Sequence, residues 1–414
     1  MSRYVYEGVG DDVTGDGTQF NPWSTMAKGL QQAAVDEPIY LKSKYIGPKL
    51  PNLGVNEWYR CWFIDPTNGT DDIGNDYGVH NGVHALATLQ YALDNVGEKS
   101  WIFCKGTETI AATIDVDVGV TTVGTWKIVE GYQSTPRDGG YYNIDGSGGA
   151  GTILQWASTG DGVVLSNIRL YGGSSHGLHF GSPGPGDGSL CWNVWSSVPA
   201  NRRAFYSANS ANAVVLLFCK ATDAQYGYYA YATQMICHAC IAEGTYCGFY
   251  GQSGLVTHRC VADGCGSDGF RAGGGMLSIR DLAYNCGTGM RSSSLLTVIG
   301  SVAKDSTGYD FAGGGSDRLV LVNTGAHGGS GGQYESLSKH QAMFDADPQL
   351  RDPANGDFRL KATSPYINGG ESGLHCLTNL APVGHVLGPY EPRIVHSRAG
   401  RLAAVGNPHG MAVL

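Results

Sequence analysis

A repeat of about twenty-one residues is the feature of this sequence that most restricts its fold. Five stretches align on an alanine, at Ala221, Ala242, Ala262, Ala283 and Ala303, with separations of 21, 20, 21 and 20 residues. A glycine and a bulky residue follow each alanine. The bulky residues are Tyr228, Phe249, Phe270, Met290 and Tyr309. A period this short is typical of one coil of a solenoid.

Short apolar runs such as "AVVLLF", "GLVTH" and "RLVLV" alternate with glycine-rich segments in this region. A coil of this length is too short for a helix pair plus a strand, and it predicts an all-β, single-stranded parallel β-helix. Stacked coils bring equivalent strands to about 4.8 Å from each other. We therefore expect the five alanines to form one line, and each glycine to provide a corner with positive φ.

Composition and charge exclude several classes of protein. The chain has 63 glycines among 414 residues without a Gly-X-Y period, which excludes collagen. The net charge of −9 and the lack of a basic run argue against nucleic-acid binding. We find no run of eighteen apolar residues for a membrane span and no signal peptide in "MSRYVYEGVGDD". We therefore expect synthesis in a cytoplasm, where the eleven cysteines would be mostly free thiols.

Three segments near the two ends of the chain resemble known β-helix proteins. They are "GDGTQFNPWSTMAKGLQQAA" (15–34), "ADPQLRDPANGDFRLKATSPYINGG" (346–370) and "HVLGPYEP" (385–392). Over roughly residues 4–390 the chain resembles the right-handed parallel β-helix superfamily, often called pectate-lyase-like. That superfamily includes polysaccharide lyases, hydrolases and bacteriophage tailspikes. The resemblance implies a right-handed β-helix with short N-terminal capping helices, but it does not choose between enzyme and non-enzyme.

The N-terminal motif occurs twice, in residues 3–33 and 60–96, with Thr25 matching Thr88. The second copy leads directly into a predicted strand in 100–110, so we interpret it as the cap of the solenoid. The first copy is either an attachment module or a second cover for the open end. The predicted division is a module at 1–50, a linker and cap at 51–97, a β-helix at 98–335, a closing segment at 336–390 and an extended tail at 391–414.

Cys219, Cys240 and Cys260 occupy the same position in consecutive coils. The favoured interpretation is a ladder of buried free thiols, because cysteine behaves as a small apolar residue. A disulfide formed after release from the cell is one alternative, since neighbouring coils are within bonding range. A zinc site is the other, and it would use Cys237, His238, Cys240, His258, Cys260 and Cys265. We predict no metal and no cofactor.

Glu243 and Asp263 also share one position, directly after the alanine. On adjacent coils their carboxylates would be about 5 Å apart, as in a retaining glycosidase or a calcium site. They are the candidate catalytic residues. The alternative is that they form hydrogen bonds in tight corners.

Four tyrosines lie within eight residues of "AQYGYYAYATQ" (224–234). Because neighbouring strand residues face opposite sides, some of these rings must point outward. Such rings stack on sugars or bury area at a protein interface. The candidate contact residues are Tyr226, Tyr228, Tyr229 and Tyr231.

β-Helix enzymes act on polysaccharides outside cells, whereas no export signal is visible here. We therefore predict a structural bacteriophage virion protein, such as a head or tail decoration, fibre or spike. The expected partners are other virion proteins, further copies of the chain in a homo-oligomer such as a trimer, and the polysaccharide of the host surface. The alternative is a polysaccharide lyase or glycoside hydrolase that cleaves a bacterial surface glycan through Glu243 and Asp263.

Overall fold

The computed structural model of the chain describes most residues between 2 and 364. The predicted tail at 391–414 and the segment at 385–392 lie outside the described residues. The described ranges are 2–7, 9–34, 37–42, 45–46, 50–51, 58–72, 85–97, 99–116, 127–156, 163–181, 189–208, 214–232, 234–313, 318–335, 339–344, 346–361 and 363–364.

Strands dominate the described part of the chain, and its two α-helices are short. Neither is long and apolar enough to cross a membrane. The N-terminal elements are β1 Arg3–Tyr6, α1 Met26–Gln32, β2 Ile39–Lys42, β3 Tyr45–Ile46, β4 Leu50–Pro51, β5 Tyr59–Ile64 and α2 Leu89–Asn95. The next strands are β6 Ser100–Lys105, β7 Thr107–Thr109, β8 Ile114–Asp115, β9 Lys127–Tyr132, β10 Tyr142–Asp145, β11 Thr152–Trp156, β12 Val163–Tyr171, β13 His176–Phe180, β14 Ser189–Ser197 and β15 Arg203–Ser207.

The repetitive part follows. Its strands are β16 Val214–Leu217, β17 Lys220–Thr222, β18 Tyr226–Ala230, β19 Met235–His238, β20 Ile241–Glu243, β21 Cys247–Gly251, β22 Leu255–His258, β23 Val261–Asp263, β24 Asp268–Ala272, β25 Gly275–Ile279, β26 Leu282–Tyr284, β27 Thr288–Ser292, β28 Leu295–Ile299, β29 Val302–Lys304, β30 Tyr309–Gly313 and β31 Arg318–His327. The last strands are β32 Gly332–Glu335, β33 Lys339–Phe344, β34 Leu350–Asp352 and β35 Asp357–Leu360.

From β16 onward each coil contributes three strands, and each strand pairs in parallel with its equivalent in the next coil. We call β16, β19, β22, β25 and β28 the first row, β17, β20, β23, β26 and β29 the second row, and β18, β21, β24, β27 and β30 the third row. Among the described residues, the first and second rows belong to a 21-stranded sheet and the third row to a 10-stranded sheet. The result is a parallel β-solenoid of about 8 turns, as the repeat predicts.

The predicted line of alanines is confirmed. Parallel register pairs Ala221 with Ala242, Ala242 with Ala262, Ala262 with Ala283, and Ala283 with Ala303. All five side chains are fully buried. Small residues are needed there because the third row approaches closely from the other side of the narrow interior.

A stack of aromatic rings fills the interior beneath the third row. The ring centroids of Phe205, Tyr228, Phe249 and Phe270 are separated successively by 4.9, 4.6 and 4.8 Å, and the rings are almost parallel. Met290 continues this column, but the next member is Phe311. The prediction of Tyr309 for that position is wrong. Gly308 imitates the repeated glycine, yet Tyr309 begins β30 and is half-exposed.

The repeated glycines are needed for space, which corrects the predicted positive φ. A Cβ on Gly248 would lie 2.6 Å from the carbonyl oxygen of Gly269 and 3.1 Å from the Cβ of Ala262. The corners with positive φ lie elsewhere in each coil. Between the first and second rows they are Phe218, Ala239, Arg259, Arg280 and Gly300.

The two N-terminal motifs have the same local structure. In β1–α1–β2 the Thr25 hydroxyl donates to Asp12 over 2.6 Å, and in β5–α2–β6 the Thr88 hydroxyl donates to Asp71 over 2.7 Å. Both threonines are helix N-caps: the Thr25 side chain accepts a hydrogen bond from the Lys28 amide, and the Thr88 side chain accepts one from the Tyr91 amide. Strand β2 pairs antiparallel with β5, so both units join one sheet. The predicted attachment and capping roles stay predictions.

The closing segment contains an antiparallel pair, β34 and β35, which we call the C-terminal hairpin (350–360). Its apolar side chains pack on the outer side of the second row, and Lys304 there forms an ion pair with Asp347 over 3.0 Å. This part of the outer surface is therefore covered. The apolar contact set comprises Leu350, Phe358 and Leu360 from the hairpin with Ile241, Val261, Leu282 and Val302 from the second row.

Candidate functional site

Glu243 and Asp263 are direct neighbours on the outer side of the second row. Parallel register pairs them across β20 and β23, so their Cα atoms are about one strand spacing, 4.8 Å, apart. The Glu243 side chain is 50% exposed and forms an ion pair with the Lys220 Nζ over 2.6 Å. Two carboxyl groups and one ammonium group thus meet at a surface that solvent reaches.

The two carboxyl groups have different electrostatic environments. Burial and the neighbouring charge of Glu243 raise the pKa of Asp263 to about 6, although Lys220 opposes this shift. Glu243 is the partner that holds the ion pair. Asp263 therefore keeps its proton up to a higher pH than an ordinary aspartate does, as is typical of a general acid beside a second carboxyl group.

The same column carries other chemically active side chains in later coils. Tyr284 follows Asp263 in register and packs edge-on against Phe358 of the C-terminal hairpin, with 5.8 Å between ring centroids. Lys304 comes next, but it is engaged with Asp305 and Asp347. The hairpin therefore borders the carboxyl pair on one side.

A second surface runs along the outer side of the third row, and we call it the aromatic–arginine track. Its rings contact one another from coil to coil: His179 and Tyr206 stack at 5.0 Å, and Tyr229 and Tyr250 stack at 4.8 Å. The guanidinium of Arg271 lies 5.4 Å from the ring of Tyr250. In register order the track consists of His179, Tyr206, Tyr229, Tyr250, Arg271 and Arg291.

The two ends of the track differ in polarity. At one end His176 and His179 are adjacent, and burial lowers the pKa of His176 to about 4 and also lowers that of His179. Both rings are therefore neutral at neutral pH. In the described part of the chain, the buried His176 Nδ1 and His179 Nε2 have no hydrogen-bond partner.

At the other end two arginines share one buried carboxylate. Asp268 lies 2.9 Å from Arg291 and 3.5 Å from Arg271, and its side chain is fully buried. The arginine side chains are 42% and 34% exposed. Two cations on one anion leave a net positive charge, which favours an anionic ligand group there.

The four candidate tyrosines do not all face outward. Tyr226 lies beside the track, 5.4 Å from Tyr250 in a stacked arrangement, and Tyr229 belongs to it. Tyr231 is 43% exposed. The prediction is wrong for Tyr228, which lies inside the solenoid, and its hydroxyl donates to the Cys219 carbonyl over 2.7 Å. The alternation of side chains along the strand places Tyr228 on the inner side, where its ring stacks between Phe205 and Phe249.

Some members of the track are visible in the sequence only once the register is known. His179, Tyr206, Arg271 and Arg291 lie in strands whose repeat is weak or whose residue types differ. A column that changes from histidine through tyrosine to arginine has no periodic signature. The cluster of tyrosines was the one available signal.

The cysteine ladder is inside the solenoid. Cys219, Cys240 and Cys260 are fully buried and free, at one position before the second row. Their thiols donate to backbone carbonyls, for example Cys240 to Leu216 over 3.3 Å. Burial raises the pKa of the Cys219 and Cys260 thiols well above its usual value, whereas at Cys240 hydrogen bonds from the neighbouring thiols outweigh burial and lower the pKa. All three thiols are enclosed in the core.

The next member of this interior column is a carboxyl group that the sequence analysis missed. Asp281 follows Cys260 and is fully buried. It accepts hydrogen bonds from Ser278 over 2.6 Å, from Thr257, and from the Cys260 amide over 2.7 Å. Burial raises the pKa of Asp281 to about 7 despite these bonds.

The zinc alternative is wrong on geometry. Cys237 points into the interior and is fully buried, whereas His238, its neighbour in β19, lies on the outer side. His238 and His258 instead face each other, with 2.9 Å between their Nδ1 atoms. In the described ranges, no group of three or more metal-ligating side chains comes together.

The comparison with solved structures decides the fold type. Pectate lyase Pel9A matches with a TM-score of 0.53 and 14% sequence identity, over 76% of this chain and 91% of that protein. This chain has the parallel β-helix fold of that lyase. A rhamnogalacturonan lyase also matches this β-helix, with a TM-score of 0.43 and 14% identity, over 65% of the chain and 74% of the lyase.

The sequence of this β-helix matches no protein-family model, and no match to a curated protein was found. At 14% identity the likeness to Pel9A concerns the fold. The comparisons do not test the predicted virion role, which stays a prediction. The site residues must be argued from their own geometry.

Proposed function

We propose that this β-helix binds an extended polysaccharide along the aromatic–arginine track and cleaves it at the Glu243–Asp263 pair. The observation that carries the proposal is the carboxyl pair itself: two acids on adjacent coils, one ion-paired to Lys220 and the other with its pKa raised to about 6. Corner hydrogen bonding requires no such division of charge. Pel9A, which has the same fold, is a pectate lyase, and the proposal extends polysaccharide cleavage to this chain.

The track suits a linear glycan. Its six positions follow the solenoid axis at one strand spacing each, so it is about 24 Å long. Tyrosine rings stack on the apolar faces of sugars. The neutral histidines at one end bind hydroxyl groups, and Arg271 with Arg291 at the other binds a carboxylate. We infer a glycan with some acidic units.

The track and the carboxyl pair are close enough to act on one chain. Glu243 lies seven residues before Tyr250, the track residue of the same coil. Seven residues span at most about 25 Å even when fully extended. A glycan lying along the third row therefore reaches the pair through a bend or a side branch.

The pair performs hydrolysis of a glycosidic bond. Asp263 donates its proton to the glycosidic oxygen as the bond between that oxygen and the anomeric carbon breaks. The Glu243 carboxylate bonds to the anomeric carbon, and water then displaces it and returns a proton to Asp263. A separation of about 5 Å between the carboxyl groups is the retaining arrangement.

The test is a cleavage assay on bacterial surface polysaccharides with and without uronic acid units. We expect new reducing ends, and we expect Glu243→Gln and Asp263→Asn each to lower the rate by at least about a hundredfold. Asp223→Asn is the matched control, since Asp223 lies near the pair but accepts a hydrogen bond from Ser197 over 2.9 Å that asparagine also accepts.

The product distinguishes hydrolysis from elimination. An unsaturated uronate, detected by its ultraviolet absorbance, would show a lyase and contradict the hydrolytic role of the pair. Equal activity of Glu243→Gln and the unmodified chain would contradict the assignment of the site. Binding to the glycan without cleavage would restrict the function to recognition.

A further inference from the structure

The outer side of the first row is an apolar surface that has no cover in the described structure. We call it the apolar outer face. Two columns form it, and their side chains are half-exposed or exposed, with Ile299 at 38%. The columns are Val215, Ile236, Val256, Leu277, Thr297 and Val320, and beside them Leu217, His238, His258, Ile279, Ile299 and Val322.

The same two columns are covered in the earlier coils. Trp101, Ile128 and Val164 are fully buried on the outer side, although parallel register places them in line with Val215. They join a second apolar cluster that includes Val5 and Leu41 from the N-terminal unit. The described residues thus cover one half of this face and leave the other half open.

The open half carries almost no charge. No carboxylate occurs among the described side chains of the first row. Burial lowers the pKa of His238, and burial with His238 lowers that of His258 to about 3, so the central pair is neutral. The cations nearest to this pair are Arg259 and Arg280, at the corner positions. A strongly charged partner would find nothing to pair with across most of the face.

We propose that the apolar outer face is a self-association surface, through which two copies of this chain form a weak, two-fold symmetric dimer. A flat, uncharged row of parallel strands is complementary to itself, and a two-fold axis brings identical patches together. The other outer rows offer no such match, because the C-terminal hairpin covers the apolar column of the second row, and the third row carries the exposed arginines Arg271 and Arg291. This inference is independent of the proposed cleavage activity.

The area of the face limits the affinity of the dimer. Five spacings of about 4.8 Å and strands of four or five residues give about 24 Å by about 15 Å, or about 400 Å² per copy. A stable complex buries about 800 Å² per partner. The dimer is therefore reversible, and we expect a dissociation constant between about 1 μM and about 1 mM.

Sedimentation velocity over that concentration range tests the proposal on the full chain. We expect the average mass to rise from one chain towards two. Val256→Lys should weaken the dimer at least about tenfold, because the two-fold axis brings like charges together at the centre of the face. Tyr246→Lys is the matched control, since Tyr246 is 54% exposed but lies outside the face. It should leave association unchanged.

Two further measurements keep the test decisive if Val256→Lys folds poorly. Leu277→Gln removes apolar surface without adding charge, and circular dichroism checks its fold. Val256→Cys should form a disulfide-linked dimer on oxidation. The unmodified chain is the control for this reaction, since the cysteines of the described ranges are buried.

Salt separates this surface from a charged one. Raising the salt concentration from about 0.1 M to about 1 M screens ion pairs and leaves apolar contacts intact, so the dimer should persist. A monomer at every concentration would overturn the proposal. So would a dimer that dissociates in salt, or one that Val256→Lys and Leu277→Gln leave unchanged.

Discussion

The inner and outer sides of the second row differ in how much the residue type varies from coil to coil. On the inner side the same residue, alanine, recurs in five consecutive coils. In the outer column that follows the alanines the residue type changes in every coil: Thr222, Glu243, Asp263, Tyr284 and Lys304. Close packing inside fixes the volume at each position, whereas solvent outside does not. Repetition therefore marks structure, and variation within a register column marks candidate chemistry.

The third row shows the same contrast between neighbouring residues. Phe249 belongs to the interior stack, and Tyr250, the next residue, belongs to the outer track. Both are aromatic, so the sequence makes them look equivalent. Their positions predict that one sustains the fold and the other contacts a ligand.

Replacing these two residues tests the contrast most strongly. Phe249→Ala should lower the free energy of unfolding by about 4 kcal/mol, because it removes a ring stacked at 4.6 and 4.8 Å on its neighbours. Tyr250→Ala should cost less than about 1 kcal/mol and should weaken polysaccharide binding instead. Urea unfolding followed by circular dichroism gives both values. An equal loss of stability in Phe249→Ala and Tyr250→Ala would contradict the assignment of one residue to the core and the other to the track.

Asp281 provides a second test of the difference between inner and outer columns, because it is a carboxyl group in an interior column. Its pKa is about 7 in the folded state and about 3.9 when unfolded. Between these values the unfolded chain is ionised and the folded chain keeps the proton, so stability falls as pH rises. We expect a loss of about 2 kcal/mol between about pH 5 and pH 7.

Asp281→Asn should remove this part of the pH dependence, because the amide does not titrate. The matched control is Asp94→Asn on the exposed side of α2. Thermal unfolding at several pH values measures the slope. Identical slopes for the Asp281→Asn variant and the unmodified chain would contradict the assignment.

Substitution in the outer carboxyl pair should have a smaller effect, which is a decrease in the pKa of Asp263. In Glu243→Gln the like charge is removed and Lys220 loses its partner, so the pKa of Asp263 should fall below about 6. Carboxyl chemical shifts measured by NMR during a pH titration follow this directly. The control Thr222→Val changes the preceding residue of the column without changing charge. An unaltered Asp263 titration in Glu243→Gln would show that the two groups do not interact.

The thiol ladder should give the smallest change. Cys240→Ala removes one buried thiol beside Cys219 and Cys260 and should cost about 1 kcal/mol. In the folded chain these three thiols should resist alkylation, since they are buried and burial raises the pKa of Cys219 and Cys260. Mass spectrometry after labelling checks this. Rapid labelling of the folded protein would place the ladder outside the core.

Much of the fold followed from the sequence because each coil repeats the same packing problem. The alanine spacing predicted the register, and register in turn brought Glu243 beside Asp263 and aligned the three cysteines. The errors have local causes. Tyr309 was preferred to Phe311 because Gly308 imitates the repeated glycine. The sequence did not predict Asp281 as a member of the cysteine column, because a carboxyl group replaces the thiol at that position.

The sequence by itself determined the coil length, the parallel register and the alternation of inner and outer residues, since these depend on backbone hydrogen bonds and side-chain volumes within one or two coils. Only the tertiary structure decided which outer surfaces are covered. Phe358 reaches Tyr284 from a distant hairpin, and Val5 joins a cluster with Trp101, while no described segment covers the apolar outer face beyond Leu217. Contacts between segments far apart in the chain leave no periodic pattern, and they set the exposure of every candidate site.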